Sequence, residues 1–130
     1  MRSQAGFTLI EVLVVAAIMG ILALIAIPQY SSYRERAYNG AALKDLKNIA
    51  SAQESFFVKN AAYREISHCS TIANGAKCIV DGLPGVSFLS KGVSVTITAS
   101  AAGFTGTARH VNGDKTCSWD SAKGGLVGCS

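Results

Sequence analysis

The 130-residue sequence is poor in the features that usually carry chemistry. It has only two histidines, His68 and His110, and neither has a metal-ligand partner four residues on or sits in a nucleophile motif. No glycine-rich phosphate loop occurs, so any nucleotide-driven step must be powered by another protein. Basic residues never gather beyond Arg34-Glu35-Arg36, although the net charge is +4, or +3 without Arg2. A nucleic-acid footprint needs cations concentrated on one face, so nucleic acid is only weakly supported as a partner. Cysteine pairs at zinc-ligand spacing are missing too, since eight and eleven residues separate Cys69 from Cys78 and Cys117 from Cys129. These absences argue against an enzyme, and no cofactor or metal is expected.

What the sequence does contain is distributed unevenly. The stretch from Phe7 to Ile27 is apolar throughout except for Thr8 and a single charge, Glu11. At about 1.5 Å rise per residue it spans roughly the 30 Å hydrocarbon layer of a bilayer. The remainder is polar enough for one soluble domain and too short for two independent cores. All four cysteines lie beyond the apolar stretch, which suggests disulfides formed in an oxidising compartment. Four cysteines allow three pairings, and spacing does not choose among them.

The N-terminus does not have the order of a secretory signal, which runs charged start, short apolar segment, then small-residue cleavage site. Here the polar piece Met1–Gly6 comes first and the apolar stretch is longer. Cutting after Gly6 would leave the apolar helix on the mature chain. The run Gly6-Phe7-Thr8-Leu9-Ile10-Glu11, followed by an unbroken apolar helix with Gly20 and Pro28, resembles the type IV prepilin family over about the first 60 residues. The resemblance implies cleavage between Gly6 and Phe7 by a prepilin peptidase, then N-methylation of Phe7. It also implies a cytoplasmic leader, residence in the inner membrane, and polymerisation into a homo-oligomeric helical surface filament. An inner-membrane assembly platform with a cytoplasmic ATPase would drive that step.

Glu11 can be weighed independently of the resemblance. A carboxylate inside an apolar helix costs on the order of 2.5–3.5 kcal/mol near the bilayer centre. It lies one turn from Phe7, so cleavage would create a cationic amine within reach, and methylation keeps that charge. In related filaments the glutamate of one subunit is thought to meet the amine of a neighbour, which makes Glu11 the expected assembly residue. Positive-inside counting sets Arg2 against Arg34 and Arg36 and by itself favours the opposite topology. Pro28 denies a hydrogen bond to the Leu24 carbonyl and Gly20 adds a second soft point, so helix flexibility is expected between them. Ala16, Gly20 and Ala23 would let neighbouring helices approach closely.

Beyond Pro28 the pattern predicts one helix continuing to about Asn60, with Leu46, Ile49, Gln53, Phe56 and Phe57 on its apolar face. Lys44, Asp45, Lys47, Asn48 and Glu54 are expected on the solvent side. Residues 61–91, with Asn74-Gly75 and Pro84-Gly85, read as an irregular connecting loop. Val93, Val95, Ile97 and Ala99 alternate with Ser94, Thr96 and Thr98 as a half-buried strand. A second strand is expected over Phe104–Val111, and Asn112-Gly113 reads as a two-residue hairpin leading to Lys115–Trp119. The expected fold is α+β: residues 7–28 as membrane and filament-core helix after a 1–6 leader, 29–60 as its amphipathic continuation, and 92–130 as a three- to four-stranded antiparallel sheet.

The tail from Phe104 to Cys129 resembles, more loosely, the last strands of type IV pilins, where a disulfide closes a C-terminal loop. That likeness implies a Cys117–Cys129 bond around Trp119, Asp120 and Lys123, leaving Cys69 with Cys78. Tyr30, Tyr33, Tyr38, Phe57 and Tyr63 form an aromatic series whose readings are interfacial packing or electron conduction. Asp114 and Asp120 fall short of the six to eight oxygens calcium takes. The leading expectation is a pilus subunit for adhesion, twitching motility or DNA uptake. The runner-up is a pseudopilin or minor pilin of a type II secretion or competence system. A monomeric membrane-anchored binding module would not need the Gly6-Phe7 junction.

Overall fold

The computed structural model describes residues 6–70, 82–86 and 89–130. The leader segment before Gly6, the Asn74-Gly75 turn and Cys78 lie outside the described residues. One helix, α1 (Leu9–Asn60), is followed by β1 (Ile66–Ser70), β2 (Val93–Ser100), β3 (Gly103–His110), β4 (Thr116–Asp120), a 3-10 turn at Ser121–Lys123, and β5 (Gly125–Cys129). The five strands form one antiparallel sheet in sequence order. Two compact units divide α1, one ending at Arg34 and one beginning at Glu35.

In the second unit α1 presents Ala42, Leu46, Ile49, Ala50 and Gln53 at three- and four-residue steps, all buried. This is one face of a 3.6-residue helix. Against it lie Val93, Val95 and Ile97 of β2, Phe104 and Ala108 of β3, and Cys117 of β4. Strand alternation turns Thr98, Thr105, Thr107 and Arg109 to solvent. Gly106 lets the helix approach: a Cβ there would come within 2.6 Å of Ile97 Cδ1 and 3.1 Å of Leu46 Cδ1.

Several expectations need correction. The sheet has five strands, not three or four. Ile66–Ser70, expected within an irregular loop, pairs with β2, and the glycine-flanked tail forms β5. Asp45 is not on the solvent side: it is buried, with its carboxylate accepting the Ser90 N–H at 2.6 Å and the Ser90 hydroxyl at 3.0 Å. It sits one turn from Ala42 and Ile49 on the core face, and those two bonds offset its desolvation. Phe57 is more exposed than the pattern implied, at 37%. The β3–β4 connection takes five residues instead of two. Its Gly113 N–H reaches the His110 carbonyl at 3.0 Å, but Asn39 of α1 then donates to Asp114 (2.6 Å) and accepts from the Lys115 N–H (3.3 Å). The helix thereby draws the chain off the tight hairpin path.

Buried Gln53 closes the other end of the helix, donating to the Arg64 carbonyl and accepting the Arg64 N–H. The last turn of α1 stops at Ala61, whose N–H bonds the Phe57 carbonyl at 2.8 Å while its φ is +51°. That is the left-handed cap usually taken by glycine, and a Cβ there is strained. Ala61→Gly should therefore raise stability by about 0.5–1 kcal/mol, less than the full strain because glycine also loosens the unfolded chain. Urea unfolding of the detergent-solubilised chain, followed by Trp119 fluorescence, measures it. A lower midpoint in the variant would contradict the capping account.

Candidate functional site

The first unit begins with Gly6, Phe7 and Thr8 outside regular structure and α1 starting at Leu9. Its residues from Gly6 to Tyr30 are exposed without exception, and Phe7 is 88% accessible. The helix from Leu9 is long and apolar enough to cross a membrane, by length and composition. It stays helical through Gly20 and Pro28. The hydroxyls of Ser31 and Ser32 bond the carbonyls of Pro28 and Gln29 at 2.9 and 3.1 Å, which supplies donors just after the proline.

Glu11 is held by its own chain. Its Oε2 accepts both the Thr8 N–H (2.9 Å) and the Thr8 hydroxyl (2.8 Å), while the Thr8 Oγ accepts the Glu11 N–H at 3.4 Å. This is a reciprocal capping box, with Thr8 as N-cap and Glu11 at the third helical position. Both donors belong to Thr8, so a cut before Phe7 leaves them in place. Sequence reading missed Thr8, although Thr-x-x-Glu before an apolar run is a readable signal. The cap satisfies two helix-start donors and half of a carboxylate that hydrocarbon would otherwise leave bare. The Oε1 oxygen is the one not engaged by Thr8.

Among the other singled-out residues, Cys117 and Cys129 face each other across β4 and β5 and are disulfide-bonded. Cys69 is also disulfide-bonded, and its expected partner, Cys78, lies outside the described residues. The loop closed by Cys117–Cys129 carries Asp120, which caps the 3-10 turn through the Ala122 N–H and lies 3.4 Å from the Lys123 ammonium. Gly125, at φ +120°, packs on the Trp119 ring, where a Cβ would come within 3.1–3.3 Å. Among the described residues no group of three or more His, Cys, Asp or Glu side chains is placed to hold a metal. The side chain of His68 is outside the described set.

The aromatic series is not one assembly within the chain. Phe57 stacks on Tyr63 (centroids 4.6 Å), which meets Phe104 at 5.1 Å. Desolvation, and after it the Glu54 carboxylate, push the Tyr63 phenol above its ordinary value. Tyr38 instead stacks on His110 at 4.3 Å. The nineteen helical steps from Tyr38 to Phe57 are about 28 Å of helix. His110 is a packed core residue. Its Nδ1 accepts the Asn112 N–H, so Nε2 carries the proton that meets the Lys91 carbonyl at 3.1 Å. Tyr30 and Tyr33 stand exposed at 64% and 73%.

Comparison with known proteins bears on this arrangement. Residues 1–27 match the family described as the prokaryotic N-terminal methylation motif. The type IV major pilin protein PilE1 of Neisseria gonorrhoeae is 30% identical over 124 residues, covering 95% of this chain and 73% of that protein. This chain belongs to the type IV pilin family. A fimbrial protein of Pseudomonas aeruginosa is 49% identical over 55 residues, 42% of this chain and 36% of the relative. The type II secretion system core protein G of the same species is 45% identical over 62 residues, 48% of this chain and 44% of its own length. The chain thus spans less than half the length of those two relatives.

The capping box of this pilin-family chain makes a local prediction. Thr8→Val keeps the shape and removes the hydroxyl, costing the helix start about 1 kcal/mol. Amide exchange over the first turn of α1, measured in detergent micelles, should quicken about five-fold, and Thr8→Ser should restore the slow rate. Equal exchange in Val and Thr chains would show that the hydroxyl holds nothing.

Proposed function

We propose that the chain is the structural subunit of a type IV pilus. On this reading it is cut between Gly6 and Phe7 by a prepilin peptidase, N-methylated on Phe7, and held in the inner membrane by α1 until it polymerises. The observation that carries the proposal is an apolar helical surface, Phe7 to Ile27, that the chain's own fold leaves uncovered. Hydrocarbon covers such a surface before assembly, and the same segments of neighbouring subunits cover it afterwards. The filament would emerge on the outer surface, for adhesion, twitching motility or DNA uptake.

Glu11 supplies order to an otherwise slippery contact. Apolar helices packed side by side have little to fix their axial register. A carboxylate near the start of one, met by the methylated amine of the next, provides a single charge-paired stop in a dry environment. The open Oε1 is suited to the incoming amine, because Oε2 is already occupied by Thr8. Gly20 and Pro28 are where the helix can locally loosen as subunits pack. The head domain, stapled by Cys117–Cys129, would then form the fibre surface. Assembly would draw on a membrane platform and a cytoplasmic ATPase, since the chain carries no nucleotide loop.

A pseudopilin role is the second reading, favoured by the similarity to core protein G. That similarity is confined to 62 residues, whereas the gonococcal pilin match extends over 124, or 95% of this chain. Two measurements test the main reading. Intact mass of the subunit from sheared surface fibres should correspond to a chain beginning at N-methylated Phe7, and retention of Met1 would sink it. Glu11→Ala should be processed and inserted normally yet give at least about tenfold fewer fibres, because a dry amine left without its partner costs on the order of 3–5 kcal/mol. Normal fibre numbers in that variant would rule out the charge-paired stop.

A further inference from the structure

The sequence holds three Asn-Gly steps, at positions 39–40, 74–75 and 112–113, and the second lies outside the described residues. Such a step can react with itself. The backbone nitrogen of the glycine attacks the side-chain amide carbon of the asparagine, and the amide nitrogen leaves as ammonia. A five-membered succinimide results, and water opens it to aspartate or isoaspartate, so one water is consumed and one ammonia released. Glycine favours the closure because, without a Cβ, it lets the backbone turn into the required geometry. The two described steps share this chemistry but not their surroundings.

Asn39 is closed to the reaction on both sides. It lies inside α1, where the helix holds the Gly40 N–H on a carbonyl one turn back. Its side-chain amide is also engaged, donating to Asp114 at 2.6 Å and accepting the Lys115 N–H at 3.3 Å. Asn112 stands exposed in the β3–β4 connection. Its backbone N–H bonds His110 Nδ1 at 3.0 Å, but its side chain makes no hydrogen bond among the described residues. The attacking Gly113 nitrogen is restrained by a turn bond, its N–H to the His110 carbonyl at 3.0 Å.

Position 113 is glycine for a reason of packing. It is buried, and a Cβ there would run into Asn39 Oδ1 and come within 3.5 Å of His110 Cβ. Asn39 cannot swing aside without breaking its bonds to Asp114 and Lys115. The contact that ties the connection to α1 thus also keeps the reactive step in the chain. We propose that Asn112 is a self-modification site whose conversion unties the β3–β4 connection from α1. Isoaspartate adds a methylene to the main chain inside the 110–113 turn, which displaces Gly113 from Asn39 and Asp114 from its partner. Aspartate at 112 keeps the backbone length but sets a second carboxylate two residues from Asp114. Asn39 and Asn112 both belong to the second unit, so the site does not depend on membrane residence.

Ageing the full-length chain in detergent micelles, in warm, mildly alkaline water enriched in oxygen-18, reads the site by peptide mass. When half of the peptide spanning residues 110–115 carries the label, less than about a tenth of the peptide spanning 37–44 should, because the helix protects Asn39. At that point the Lys115 N–H should exchange with solvent about tenfold faster than in fresh chain, the worth of one hydrogen bond. Asn112→Gln, whose longer side chain closes a ring far more slowly, should keep the slow exchange after the same ageing. Labelling of Asn39 as fast as Asn112 overturns the proposal. An unlabelled Asn112, after a time in which the free 110–115 peptide converts, means that the fold closes this step too and equally defeats it. A labelled chain that keeps the Lys115 exchange of fresh chain shows that conversion unties nothing, and the proposal fails.

Discussion

An apolar helical surface with nothing of its own chain to cover it governs this molecule. From Gly6 to Tyr30 every residue is exposed, including leucines, isoleucines and valines that would be core in a soluble domain. Surface of this extent is not tolerated in water. The chain must therefore always have a second environment, lipid or other copies of itself, and its other features are arranged around that requirement. The single carboxylate in the stretch is placed in the first helical turn and already half satisfied by Thr8.

The head domain is built on the same helix by different means. From Glu35 onward α1 has one buried face, and the sheet closes over it through Leu46, Ile49, Val93, Val95 and Ile97. Three polar side chains on α1 then tie loops to the helix: Asn39 holds Asp114 and Lys115, Asp45 holds Ser90, and Gln53 holds Arg64. Small domains gain little from hydrophobic burial alone, so these bonds, with the Cys117–Cys129 crosslink, fix segments that the core does not reach.

How much of this was legible in the sequence depends on the range of the interactions involved. The long helix, the β2 alternation and the Gly6-Phe7…Glu11 pattern are local signals, and the helix and the β2 strand appear as they were read. β1 was missed because Ile66-Ser-His-Cys-Ser has no alternation that distinguishes it from a loop until β2 lies beside it. β5 was missed because two glycines dilute a five-residue strand, and only pairing with β4 across the disulfide defines it. Asp45 looked like a solvent residue, since its partner, Ser90, is 45 positions away. The Asn112-Gly113 turn is overridden by Asn39, whose partner Asp114 is 75 positions away. Thr8 is different: its signal, Thr-x-x-Glu before an apolar run, is local, but the same Glu11 also reads as a lone charge in an apolar helix.

The central claim is that one helix is a membrane span first and a filament core afterwards. Electron cryomicroscopy of sheared surface fibres tests it most directly. The account predicts a fibre axis filled by bundled apolar helices beginning at Phe7, with each Glu11 carboxylate against the Phe7 amine of an adjacent subunit and the β-sheets outermost. A fibre in which this chain's Phe7–Ile27 segment lies on the outer surface, or whose axis is formed by the β-sheets, would contradict it.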